Sequence, residues 1–269
     1  MGFDHLLRSH APITDSGWDL LDAEARQRLA PALAARRLVD FSGPHGWDHS
    51  ATNLGRTERL AATPHEGVSA VRRRVLALAE LRSDFTVSLR ELADRDRGAQ
   101  DVDLAALDDA AHRMATAENV AVFHGWPEAE LKGIVGASPH EPKPLGEDPE
   151  RYPRAVAGAV ELLLCDGIGG PYGMALGREQ YRRAVETAEH GGHLLLDHLR
   201  KILDGPIVWA PGLEGAVVLS QRGGDFILDC GQDLSIGYHR HDEEAVHLYI
   251  EESFSFVAAT PEAAVALTA

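Results

Sequence analysis

The 269-residue sequence predicts an α+β fold, and three observations carry that expectation. Two long stretches repeat apolar residues at helical spacing: "TDSGWDLLDAEARQRLAPALAARRLVD" and "DVDLAALDDAAHRMATAENVAVFHG". Near the C-terminus, "AVHLYIEESFSFVAA" instead places Val246, Leu248, Ile250, Phe254 and Phe256 on alternate positions, the period of a strand. The remaining helical and strand patterns are mixed without the regular alternation that a doubly wound parallel sheet requires.

Along the chain, the first helix is expected to open with a Ser16–Asp19 capping box. It shows Trp18, Leu21, Ala25, Leu29 and Leu33 on one face. Pro31 removes one backbone donor and should kink or split it. "FSGPHGW" breaks it. Residues 48 to 82 offer short segments rich in Thr, Val and Arg but no compact apolar face. They read as long strands projecting from a body and needing a neighbour to cover them. The triple arginine Arg72–Arg74 reads as a solvated or salt-bridged strand. In the second helix Leu104, Leu107, Ala111, Met114, Ala117 and Val122 form the stripe, Asp103 caps and Gly125 stops it. Asp148 and Pro149 start a third helix that ends at Gly167. Short strands are expected in "PYGMALG", "PIVWAP", "GAVVLSQ" and "FILDCG", with two helices flanking "ETAEHGGH".

Composition narrows the function. A formal charge of −16 opposes wholesale nucleic-acid binding, which requires lysines and arginines to displace counterions. Cys165 and Cys230 show no metal or redox spacing, and neither a signal pattern nor an apolar run of about 20 residues is visible. A cytoplasmic protein with no membrane partner is expected. In "ETAEHGGH" (186–193), Glu186, Glu189, His190 and His193 could all ligate a metal. HxxH lacks the i,i+4 geometry of HExxH, however, and the two glycines make a poor platform for fixed coordination. "YHRHDEE" reads as a charged turn, and "GIGGPYG" as a helix stop and turn rather than a dinucleotide loop. No nucleophile elbow is present. Neither an enzyme nor a bound metal is expected.

"APITDSGWDLLDAEAR", "RRLVDFSGPHGW", "GPYGMAL" and "IVWAPGLEGAVVLSQRGGDF", followed by "GQDLSIGYHRHDEEAVHLYIEESFSF", resemble the encapsulin shell proteins of the first, linocin-like family nearly end to end. "RGGDF" followed by "GQDLSIGY" is the most specific part. The resemblance implies the tailed-phage capsid-protein fold and self-assembly into an icosahedral nanocompartment that encloses cargo enzymes. It implies an N-terminal helix and start of a peripheral domain in 1–47, and an extended loop in 48–82. The rest of the peripheral domain, with its spine helix, falls in 83–135 and 223–251, and an axial domain in 136–222 and 252–269.

Two sites follow from the resemblance. Glu186, Glu189, His190, Gly191, Gly192 and His193 fall where the family places its five-fold pore loop. One Glu189 and one His190 per subunit would then form rings that bias ion passage. Relatives follow His–Gly with Tyr–Pro, whereas this chain reads "HGGHLLLDHL" and is a residue longer there. The second site takes the C-terminal targeting peptide of a cargo protein, a ferritin-like protein or a dye-decolourising peroxidase. Arg36 and Asp40 are its expected polar contacts, and Leu33 and Val39 its apolar ones; a local Arg36–Asp40 ion pair is the simpler alternative. Some relatives hold a flavin near the segment matching "FTVSLREL"; Arg90 there is not an aromatic, and no cofactor is expected. Competing functions are a prophage major capsid protein, a His/Glu metal-dependent hydrolase, and a secreted bacteriocin.

Overall fold

The structure, a computed structural model, describes residues 4–188 and 194–268. Its first half contains α1 (Asp15–Ala32), β1 (Asp40–Ser42), β2 (Ala51–Arg59), β3 (Val71–Ala77), β4 (Ala79–Ser88), α2 (Leu89–Asp96) and α3 (Ala105–Phe123). There follow α4 (Ile134–Ala137), β5 (Lys143–Pro144), α5 (Tyr152–Cys165), β6 (Tyr172–Leu176), α6 (Arg178–Glu186) and α7 (Leu195–Leu203). The chain closes with β7 (Ile207–Trp209), β8 (Ala216–Ser220), β9 (Phe226–Cys230), β10 (Ser235–His241), β11 (Ala245–Ala258) and β12 (Ala264–Thr268).

The strands form two five-stranded sheets and one isolated ribbon. In the first sheet the order is β1-β9-β11-β10, with β4 also paired to β11. The 14-residue β11 serves three partners: its first part lies between β4 and β10, and its last five residues pair with β9. One face of this sheet packs on α1 and α3 through Trp18, Leu21, Leu107, Met114, Phe85 and Leu248. In the second sheet, ordered β5-β12-β8-β6-β7, strands β6 and β8 are buried throughout under α5, α6 and α7.

"GQDLSIGY" has a packing reason for its second glycine. Gly237 lies opposite Tyr249 in the β10–β11 ladder, and a Cβ there would sit 2.1 Å from the tyrosine ring. The same ring carries the Arg82 guanidinium 3.6 Å from its centroid.

Several local expectations are revised. The cap of α1 is Thr14, whose hydroxyl accepts from Gly17 N–H at 3.1 Å; Ser16 lies inside the first turn. Pro31 does not split α1 but sits in its last turn, where the helix ends one residue later. In α3, Asp103 does accept from Ala105 N–H at 3.0 Å. The segment at 238–244 is a strand as far as His241, with only Asp242–Glu244 forming the turn. Strands β1, β5 and β12 are too short or too uniformly apolar for a period to show.

Among the described residues β2 and β3 pair only with each other, and they are almost entirely exposed, with an Arg72–Glu58 ion pair of 2.8 Å across the ribbon. Exposed valines lie along and beside it: Val68 at 57%, Val71 at 61% and Val75 at 54%.

Candidate functional site

The end of α1 is fixed from below by α3. Asn119, fully buried, accepts from Ala35 N–H at 3.0 Å and donates to the Ala32 carbonyl at 2.8 Å and the Pro211 carbonyl at 3.3 Å. One amide thereby satisfies both a carbonyl left open where α1 stops and the first donor of the next turn. That 3-10 turn, Ala35–Arg37, aims Arg36 back toward the body.

Arg36 does not pair with Asp40. Its guanidinium meets Glu118 Oε2 through Nε at 2.7 Å, Asp233 Oδ1 at 2.7 Å, and Glu252 Oε1 through its second amino group. Its side chain is 16% exposed, and both glutamates are fully buried. It also lies 4.8 Å over the Phe41 ring. Burial opposes the guanidinium's charge, but Glu118, Glu252 and Asp233 together hold its pKa above the ordinary arginine value. Burial also raises both glutamates, Glu252 well above the ordinary 4.5, with the neighbouring Glu118 charge adding to it. Glu118 Oε1 and Glu252 Oε2 are buried without a donor, and burial together with the neighbouring Glu118 charge favours the protonated form of Glu252.

Above this cluster, α1 and the start of β10 enclose a hollow of about 460 Å³. Leu29, Leu33 and Ile236 are among its aliphatic lining, and Arg26, Arg36 and Asp233 are among its charged residues. Val39 and Asp40 belong elsewhere, to a polar hollow of about 220 Å³ with Gln221 and Asp225. There Asp40 accepts from Gly224 N–H at 2.5 Å, and Arg222 clamps Asp225 with two bonds of 2.9 Å. The four sequence candidates thus divide into two pairs, Leu33 with Arg36 and Val39 with Asp40.

Of the pore-loop candidates, Glu186 ends α6 and accepts from Arg182 at 2.8 Å. Glu189, His190, Gly191, Gly192 and His193 lie outside the described residues. The segment's ends are held together by the Ala188–Leu194 bridge and by Leu195 N–H to the Thr187 carbonyl at 3.1 Å. Arg90 is an exposed residue of α2 whose guanidinium lies 3.9 Å from Asp94.

Glu118, Asp233 and Glu252 escaped the sequence reading, yet two of them left a trace. Glu252 falls on the even-numbered apolar face of β11, between Ile250 and Phe254. Glu118 follows Met114 by four residues on the apolar stripe of α3. A carboxylate on a buried face requires a cation, and Arg36 is the one supplied.

A family model described as an encapsulating protein for peroxidase matches residues 3–255. The chain is 45% identical over 267 residues to a type 1 encapsulin shell protein of Rhodospirillum rubrum, covering 97% of this chain and 95% of that one. It is 38% identical over 265 residues to that of Mycobacterium tuberculosis, covering 98% and 99%. The chain belongs to the encapsulin shell-protein family. In fold, this encapsulin is similar to a virus-like particle from Pyrococcus furiosus at TM-score 0.65 and 17% identity, over 92% of this chain and 98% of that one. It is similar also to the capsid of an empty GTA particle at TM-score 0.53 and 13% identity, over 88% and 90%. The capsid-type α+β fold and self-assembly into a shell therefore stand, and the family's role is structural rather than catalytic. No helix among the described residues is long and apolar enough to cross a membrane.

Proposed function

We propose that this encapsulin forms an icosahedral shell in the cytoplasm and takes up its cargo enzyme through a C-terminal targeting peptide lying between α1 and β10. The domain division implied by the family resemblance belongs to the same reading, as does a pore loop at 186–193. The observation that carries the proposal is the hollow itself, with aliphatic side chains and charges of both signs in its lining. An extended segment with a few aliphatic anchors suits that chemistry. Each peptide would bind weakly, and many equivalent sites facing an oligomeric cargo would supply the avidity.

Of the two candidate pairs, Leu33 with Arg36 lines this hollow; Val39 and Asp40 would act at the end of a longer peptide or not at all. Leu33 is the better probe because it is partly exposed and ends no ion pair. Leu33→Asp should lower cargo per shell severalfold in co-purification while leaving particle size unchanged. Equal loading in both shells would remove the α1–β10 hollow from consideration.

A further inference from the structure

We propose that His45, His49 and Asp229 form a binding site for one divalent cation of the zinc type at the root of the β2–β3 ribbon. His45 Nε2 lies 3.0 Å from Asp229 Oδ1, and His49 Nε2 lies 3.1 Å from Oδ2. A ligand atom from each of the three falls within 4.8 Å of the others, and the two imidazole centroids are 4.7 Å apart. Zinc binds imidazole nitrogen and carboxylate oxygen at about 2.0–2.2 Å, which places neighbouring donors about 3–3.5 Å apart. Each imidazole nitrogen is already at that spacing from a carboxylate oxygen. Two imidazoles and one carboxylate suit a borderline cation and leave coordination positions for water.

Charge points the same way. Asp229 is 6% exposed, and among the described residues its ion-pair partners are the two imidazoles alone. No arginine or lysine among the described residues pairs with this buried carboxylate, so a cation bound beside it would be its only full positive partner. A divalent cation cancels the carboxylate's charge and uses the imidazoles in the neutral form in which they ligate. By contrast, the second grouping of potential ligands, Cys230, Asp233 and Glu252, already faces the Arg36 guanidinium.

The surroundings hold the donors in place. Sheet register sets Ser42 and Ser255 on either side of Asp229, on β1 and β11. Thr52 donates to Asp229 Oδ2 and is itself bonded to Ser255. This is the kind of hydroxyl support that orients a ligating carboxylate. The loop bearing the histidines is tied to the end of β9 by His45 N–H to the Cys230 carbonyl at 3.0 Å and Gly46 N–H to the Gly231 carbonyl at 2.9 Å. Gly43 permits that approach: its φ is +122°, and a Cβ there would lie 2.4 Å from the Cys230 oxygen. The side chains of His45 and His49 are 42% and 28% exposed, so an ion can reach them. Because β2 starts two residues after His49, a bound cation joins the root of the ribbon to β9, an inner strand of the first sheet.

The test is equilibrium dialysis of chelator-stripped, assembled shells against Zn²⁺, with Co²⁺ as a spectroscopic stand-in. Wild-type shells should hold one more tightly bound Zn²⁺ per chain than His45→Gln or His49→Gln shells. Their Co²⁺ complex should show a visible band that both variants lose. His190→Gln/His193→Gln shells should keep that ion, which separates this site from any metal held by the loop at 189–193. Equal Zn²⁺ in wild type and in both single variants would overturn the proposal. Should a variant not assemble, density maps of wild-type shells with and without Zn²⁺ decide: a peak among the three side chains supports the site, and none overturns it.

Discussion

Arg36 serves the fold before any visitor, since two buried carboxyls depend on its charge. Arg36→Ala should destabilise the chain by about 3–5 kcal/mol, the usual consequence of stranding a buried charge. A fall in cargo loading with that variant would therefore report folding, and unfolding midpoints should show it first. Glu252 gives a sharper test. Its folded pKa lies well above the ordinary 4.5, so the native chain keeps a proton that the unfolded chain releases. Stability is thus fully present below about pH 4.5 and declines as pH rises toward the folded value, by at most about 1.4 kcal/mol per pH unit. Glu252→Gln keeps a neutral hydrogen-bonding side chain and should flatten that decline. Thermal midpoints followed from pH 5 to 8 check it, and parallel slopes in both proteins would mean that Glu252 carries no such proton.

Among the elements, α1, α3 and β11 were legible because each repeats one period long enough to identify a face. The boundaries were less so. Thr14 rather than Ser16 caps α1 because the cap must stand outside the helix with its hydroxyl within reach of Gly17 N–H. Arg36 and Asp40 were expected as polar contacts of a cargo peptide, with a local ion pair as the alternative, but the partners they have in the structure lie 82 to 216 residues away in sequence, beyond any local spacing. The His45–His49–Asp229 cluster was hidden in the same way, with its carboxylate 180 residues from the nearer histidine. The β2–β3 ribbon, in contrast, was visible through what it lacks, an apolar face of its own. Val75, 54% exposed there, is suited to contact with another copy. Val75→Asp should leave the secondary structure intact and shift size-exclusion profiles from shells toward small species; full assembly would mean that the ribbon's valines are not buried between subunits.

The proposed pore would exist only at the scale of the whole particle, where a single loop is repeated around an axis. On the proposed pore reading, a ring of Glu189 carboxylates would attract cations, and a ring of His190 imidazoles would repel them when protonated. Glu189→Gln or His190→Ala should change the rate of small-ion entry without preventing assembly, as read by stopped-flow uptake into shells carrying an ion-sensitive dye. Rates indistinguishable from wild type would place the entry route elsewhere. The exposed ribbon bears on how such particles come to be correct. Two strands alone are marginal in water, so if a neighbouring subunit covers the ribbon as proposed, it would also order it and gain less free energy than the covered area suggests. Early contacts would then be easily undone. A subunit that joined in the wrong orientation would leave before others locked it in place, and only the closed particle, with each ribbon held at once, would become difficult to reverse.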